Sequence, residues 1–157
     1  MSSDPPDYER RSRRVRSRFI AQVTTGSFRM SGQPLRVLII DDYAPFRSLA
    51  RELMERRGFE VVGEADRASS GRESCRAGRA RCLLLDVRLP DGNGFEVCRA
   101  LTGANPSLKV LIVSADAHHP HDANKSGAVG FLPKSRLPAA DLVDLLRGGA
   151  QEDRKVA

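Results

Sequence analysis

Five side chains able to do chemistry stand at the ends of short apolar runs. Asp41 and Asp42 follow LRVLII (35–40), Asp86 follows CLLL (82–85), and Ser114 follows LKVLIV (108–113). Lys134 lies one residue past Pro133, just beyond VGFL (129–132). Three carboxylates gathered at one place repel, and one is pushed toward protonation unless a cation stands among them. Oxygen ligands from two or three carboxylates, completed by water to an octahedron, suit Mg²⁺ or Mn²⁺ far better than zinc. A carboxylate nucleophile, such a cation, a lysine and a hydroxyl form a set suited to phosphoryl transfer, where catalysis is mostly positioning and charge neutralisation. In that chemistry Asp86 attacks in line and becomes an aspartyl phosphate. Each residue taken singly has a plainer reading: Asp42 as the N-cap of the helix containing Pro45, Lys134 as a solvated lysine, Ser114 as an ordinary strand-end hydroxyl. Their weight comes from position.

The elements needed to position them are legible in the hydrophobic pattern. LRVLII (35–40) reads as a strand, followed by a helix whose Phe46, Leu49, Ala50, Leu53 and Met54 fall at spacings of three and four, on one face. Gly58 suits its C-terminal stop. FEVVGEA (59–65) alternates as an edge strand does, and a polar helix over about 69–77 precedes the strand CLLL. A helix over 95–103, the strand LKVLIV, the strand VGFL and a final helix starting after Pro138, through Leu142, Val143, Leu145 and Leu146, complete the order. Strands alternating with helices predict a doubly wound α/β fold with a parallel sheet and helices on both faces. In such a sheet ligands sit beyond the carboxyl ends of the strands, where all five side chains fall.

The 157 residues have room for one ordinary domain and a tail. Net charge is +6, but residues 1–34 hold seven arginines against Asp4, Asp7 and Glu9, so most of the excess belongs to that segment. It is rich in Ser, Pro, Gly and Arg and reads as a basic extension without a core, leaving a domain over 35–148 and a short tail over 149–157. Within the extension, ERRSRRVRSRFIAQV could form a basic amphipathic helix. Met30 opens MSGQPLRVLIIDD, which reads like a natural start, so residues 1–29 are set against an upstream over-translation. No apolar run reaches the roughly 20 residues of a membrane span, and no signal peptide is visible. Cys75, Cys82 and Cys98 lack the spacing of a disulfide or zinc framework. They read as idle thiols of a cytoplasmic protein. His118, His119 and His121 are interrupted by Pro120 and make a poor metal site.

The acidic pair Asp41-Asp42, Asp86 with Pro90 and Gly94 four and eight residues on, Ser114 followed by Ala115, and Phe131 three residues before Lys134 together resemble the receiver domain of bacterial two-component response regulators. EVVGEA and GFLPKS look most like the branch usually joined to a helix-turn-helix output domain. The resemblance implies a five-stranded flavodoxin-like sheet of order 2-1-3-4-5. It implies Asp86 as phosphoacceptor, Asp42 as direct metal ligand, Asp41 as its water-mediated neighbour, and the backbone carbonyl of Arg88 as a further ligand. Lys134 and Ser114 would engage phosphoryl oxygens, with Ser114 and Phe131 as the switch pair. Arg88 and Asp116 would flank the site and could pair across its mouth. The partners implied are a histidine kinase or phosphotransfer protein and a downstream protein. Pairing of the chain with itself is left open, and nucleic acid is not expected as a partner.

Three departures from the family pattern stand out. No output domain fits after the last helix. The span from Ser114 to Gly127 is about two residues short by the family's usual measure, and HHPHDANKS has no apolar stripe, which predicts a short or frayed fourth helix. The third is the pair Arg88 and Asp116 at the site's mouth. Three other functions compete with a binding switch whose only catalysis is its own phosphorylation and dephosphorylation. An aspartate-nucleophile phosphohydrolase wants a second acid two residues after Asp86, where Arg88 stands. A flavin module of flavodoxin type wants a Ser/Thr-Gly phosphate cradle where DDYAPF stands. A nucleic-acid binder would act through the arginine arm.

Overall fold

A computed structural model describes residues 29–30, 33–116 and 120–147. Five parallel strands form the sheet: β1 (Arg36–Ile40), β2 (Glu60–Ala65), β3 (Cys82–Asp86), β4 (Lys109–Ser114) and β5 (Gly130–Pro133). Their order is β2-β1-β3-β4-β5, with β2 at one edge, so the winding reverses between β1 and β3. The connections are α1 (Ala44–Arg56), α2 (Ala68–Arg76), α3 (Gly94–Ala104) and α4 (Pro120–Lys125), and α5 (Leu142–Leu146) closes the fold.

Each strand sends alternate residues to opposite faces, and the core divides accordingly. Leu38, Ile40, Leu83, Leu85, Val110 and Ile112 pack on one face with Ala68 of α2, Phe95, Val97 and Cys98 of α3, and Ala123 of α4. Val37, Ile39, Leu84, Leu111 and Val113 pack on the other with Phe46, Ala50 and Met54 of α1 and Leu142 and Leu146 of α5. Because both faces are covered, β3 is buried at every position, which is why it reads as an unbroken apolar run.

Four local expectations need correcting. Leu49 lies outside the α1 stripe and is exposed, since the buried positions fall at strict spacings of four. Asp42 does not cap α1. Tyr43 holds the N-cap position without a side-chain cap, and its backbone N–H donates instead to Asp41 Oδ1 at 2.8 Å. The last helix does not begin at Pro138, which sits within a 3₁₀ turn over Lys134–Ala139. The α-helix starts at Leu142, four residues later, with Asp141 as its N-cap, whose side chain accepts from the Asp144 N–H at 3.0 Å and satisfies an orphan donor. Arg29–Met30 pairs antiparallel with Gln33–Pro34, regular structure not foreseen within the basic extension. The proposed helix over 9–23 and the tail 149–157 lie outside the described residues. Gly58 adopts φ 86°, as the stop after α1 requires, and the described part of α4 spans Pro120–Lys125.

Candidate functional site

β1 and β3 are neighbours, with Ile40 opposite Leu85, so the residues just past those positions emerge side by side at the carboxyl end of the sheet. Asp41, Asp42 and Asp86 there offer carboxylate oxygens all within 4.8 Å of one another. Among the described residues this is the one group of His, Cys, Asp or Glu side chains close enough to share an ion. Asp41 and Asp86 are buried and Asp42 is exposed, a gradient that leaves the cluster open on the Asp42 side.

Lys134 enters from the end of β5. Its Nζ lies 2.7 Å from Asp41 Oδ2 and 3.2 Å from Asp86 Oδ2. The Asp86 contact is a hydrogen bond. The Asp41 contact is the shorter ion pair, and Asp41 Oδ2 is buried with no partner besides that ammonium. Asp41 Oδ1 is occupied by the Tyr43 N–H, and the Asp41 carbonyl accepts from Arg47 Nη1 at 2.7 Å. Arg47 in turn pairs with Glu64 of β2 at 3.4 Å, which fixes the turn after β1 from the side.

Burial, then the neighbouring Asp41 charge, push the Asp86 carboxyl above its ordinary range, against the opposing pull of Lys134 and of the Arg88 backbone N–H. Burial tends to lower the Lys134 ammonium, but the two carboxylates outweigh it and hold the group above its usual value. One ammonium shared by two buried carboxylates does not neutralise the cluster. The donor set is all oxygen, carries more negative than positive charge and includes a buried oxygen, Asp41 Oδ2, whose one near partner is the ammonium it shares with Asp86. It therefore fits a hard divalent cation such as Mg²⁺ or Mn²⁺.

The remaining predicted residues fall around this cluster. Ser114, buried at the end of β4, accepts from the Asp116 N–H at 3.1 Å and so is engaged with its own loop. Phe131 is half-buried in β5 and packs against the core layer that holds α3. Arg88 is exposed in a tight hairpin, Arg88–Leu89 against Gly92–Asn93. His121 is exposed on α4, and His118 and His119 lie outside the described residues.

Three supporting residues escaped the sequence reading. Phe46 places its ring under Lys134, with Nζ 4.6 Å from the centroid. Arg47 latches the Asp41 carbonyl. Asp91, in the turn after the Arg88 strand, accepts from the Ala68 and Ser69 N–H groups at 2.6 and 3.0 Å and ties that loop to the start of α2. Gly94 begins α3 directly against the site, where an added Cβ would collide with the Asp86 carbonyl oxygen. The signal for Phe46 was present, an apolar residue four positions after Asp42, but its helix face accounts for it equally well.

The sequence matches the response regulator receiver domain over residues 37–147, and the chain belongs to that family. It is 30% identical over 116 residues to the response regulator GacA of Pseudomonas viridiflava, covering 72% of this chain and 54% of GacA. It is 28% identical over 106 residues to the chemotaxis protein CheY of Thermotoga maritima, covering 66% and 88% of the two chains. A LuxR-family two-component response regulator from Aurantimonas superposes with a TM-score of 0.66 at 27% identity, covering 78% of this chain and 98% of that one. The chain spans about half the length of the first curated relatives it matches. Family membership sets aside the phosphohydrolase and flavin readings. No described helix is long and apolar enough to cross a membrane.

Proposed function

We propose that residues 35–148 form a phosphorylation-controlled binding switch, with 1–34 a basic extension and 149–157 a tail. Asp86 receives a phosphoryl group from a histidine kinase or phosphotransfer protein in the cytoplasm. The observation that carries this reading is the meeting of three carboxylates and Lys134 at the carboxyl end of β1 and β3.

An Asp86 carboxylate oxygen attacks the phosphorus of a phosphohistidine in line. The P–N bond breaks, its electron pair stays on the imidazole, and the imidazole takes up a proton. Asp41, Asp42, Asp86 and the Arg88 carbonyl would hold the divalent cation, which neutralises charge on the incoming phosphoryl oxygens. Lys134 shifts its contact from the Asp86 carboxylate to a phosphoryl oxygen, a charge-assisted bond of the strong kind. Ser114 leaves the Asp116 N–H and donates to another phosphoryl oxygen, drawing its loop inward. Phe131 follows, and the surface beside β5 changes for a downstream partner. This is a two-state element biased by new bonds at one group. Catalysis is confined to the chain's own phosphorylation and loss of phosphate.

Incubation with Mg²⁺ and acetyl phosphate should give one acid-stable, base-labile phosphate, absent from Asp86→Ala and lost on chelation. Undiminished labelling of Asp86→Ala would rule out the site.

A further inference from the structure

Lys134 is held from three sides. Two are carboxylates, with Nζ 2.7 Å from Asp41 Oδ2 and 3.2 Å from Asp86 Oδ2. The third is the Phe46 ring, whose centroid lies 4.6 Å from the same nitrogen. That is within the roughly 6 Å over which a cation is attracted by the negative face of an aromatic ring, most strongly where water is excluded. Here the carboxylate partners are buried and the lysine side chain is only 18% exposed.

The ring's position does not depend on the lysine. Phe46 is 7% exposed and lies on the buried stripe of α1 with Ala50 and Met54, in the core layer that also holds Ile39 of β1 and Val113 of β4. The Asp86 contact, by contrast, must change during the proposed reaction, because Lys134 leaves an Asp86 oxygen for a phosphoryl oxygen. A flexible stem carrying a strongly hydrated ammonium would then be drawn toward water. The ring face is a contact that phosphorylation leaves in place, and it approaches from a different side than the Asp41 carboxylate.

We propose that Phe46 is a positioning residue of the phosphorylation site, its aromatic face keeping the Lys134 ammonium over the cluster while the ammonium passes from carboxylate to phosphoryl oxygen. This rests on the function proposed above and adds a chemical requirement to it. An aliphatic side chain of similar bulk satisfies the core but not the site.

The test is the full chain carrying mono-, di- and trifluorinated phenylalanine at position 46. Fluorination drains the negative face while leaving ring size nearly unchanged, so a purely structural role does not respond to it. The Asp86 labelling rate with Mg²⁺ and acetyl phosphate should fall stepwise with fluorine number, by about threefold to tenfold across the series. The same series in a Lys134→Met background should be flat. In the unsubstituted, unphosphorylated chain the Lys134 ε-methylene protons should show an upfield ring-current shift in the NMR spectrum, lost in Phe46→Leu. Normal labelling with no dependence on fluorination overturns the role of Phe46 and leaves the phosphorylation site standing. No labelling of the unsubstituted chain at all overturns both.

Discussion

Replacing Lys134 with methionine keeps most of the stem and removes the charge, leaving Asp41 and Asp86 to face each other at 1% and 7% side-chain exposure. Removing one partner of a buried ion pair typically costs about 3–5 kcal/mol. The structure supplies an escape that limits this loss, because a carboxyl already raised by burial and by Asp41 can take up a proton. Protonating one ordinary carboxylate, of pKa near 3.9, costs about 1.4 kcal/mol per pH unit above that value. That comes to about 4 kcal/mol at pH 7 and about 1.5 kcal/mol at pH 5. The sign follows from the direction of the shift. A carboxyl whose folded pKa lies above its unfolded value destabilises the fold when ionised, and that penalty fades as pH falls through the folded pKa. The variant should therefore lose about 3–4 kcal/mol against the parent at pH 7 and clearly less near pH 5, read by urea denaturation with circular dichroism. Millimolar Mg²⁺ at pH 7 should recover much of the deficit, since the cation replaces the missing positive charge. A deficit equal at both pH values, or below about 0.5 kcal/mol at pH 7, would mean that Lys134 contributes packing and not charge.

Other consequences can be measured directly. Mg²⁺ should raise the melting temperature of the parent chain, by linkage worth about 1.4 kcal/mol at ten times its dissociation constant. Asp42→Asn should weaken that response while leaving the metal-free chain at least as stable. Gly94→Ala should cost more than about 2 kcal/mol, because the new Cβ meets backbone of Asp86 and Val87, which cannot yield as a side chain can. Gly71→Ala should cost less, since its main obstacle is the Ile40 side chain. Asp91→Ala should lower stability at neutral pH. The two backbone N–H groups hold that carboxylate below its usual pKa, so its contribution is present above the unfolded value and disappears as pH falls through the folded one. Thermal melts across an acid pH series would show the two curves converging.

The sheet was legible because four of the five strands ended in punctuation: a carboxylate after β1, a carboxylate closing β3, a serine closing β4 and a proline closing β5. Alternation with helices dictated parallel pairing, and parallel pairing places all those ends on one edge. What pattern could not supply was the support beneath the ends. Phe46 and Arg47 read as ordinary residues of an amphipathic helix, and only the reach of Lys134 from the end of β5 toward Asp41 and Asp86 brings its ammonium over the ring. Pro138 was misread because proline favours a helix start, and it lost to Asp141, whose side chain accepts from the Asp144 N–H.

The central claim, that one carboxylate of the three carries the phosphoryl group, is tested most directly on the unmodified chain. After reaction with Mg²⁺ and acetyl phosphate, borohydride reduction converts an aspartyl phosphate to homoserine, which peptide mass mapping locates. The account predicts homoserine at position 86 alone, with Asp41 and Asp42 unchanged. Homoserine at 41 or 42, or none anywhere after demonstrated phosphate incorporation, would contradict it.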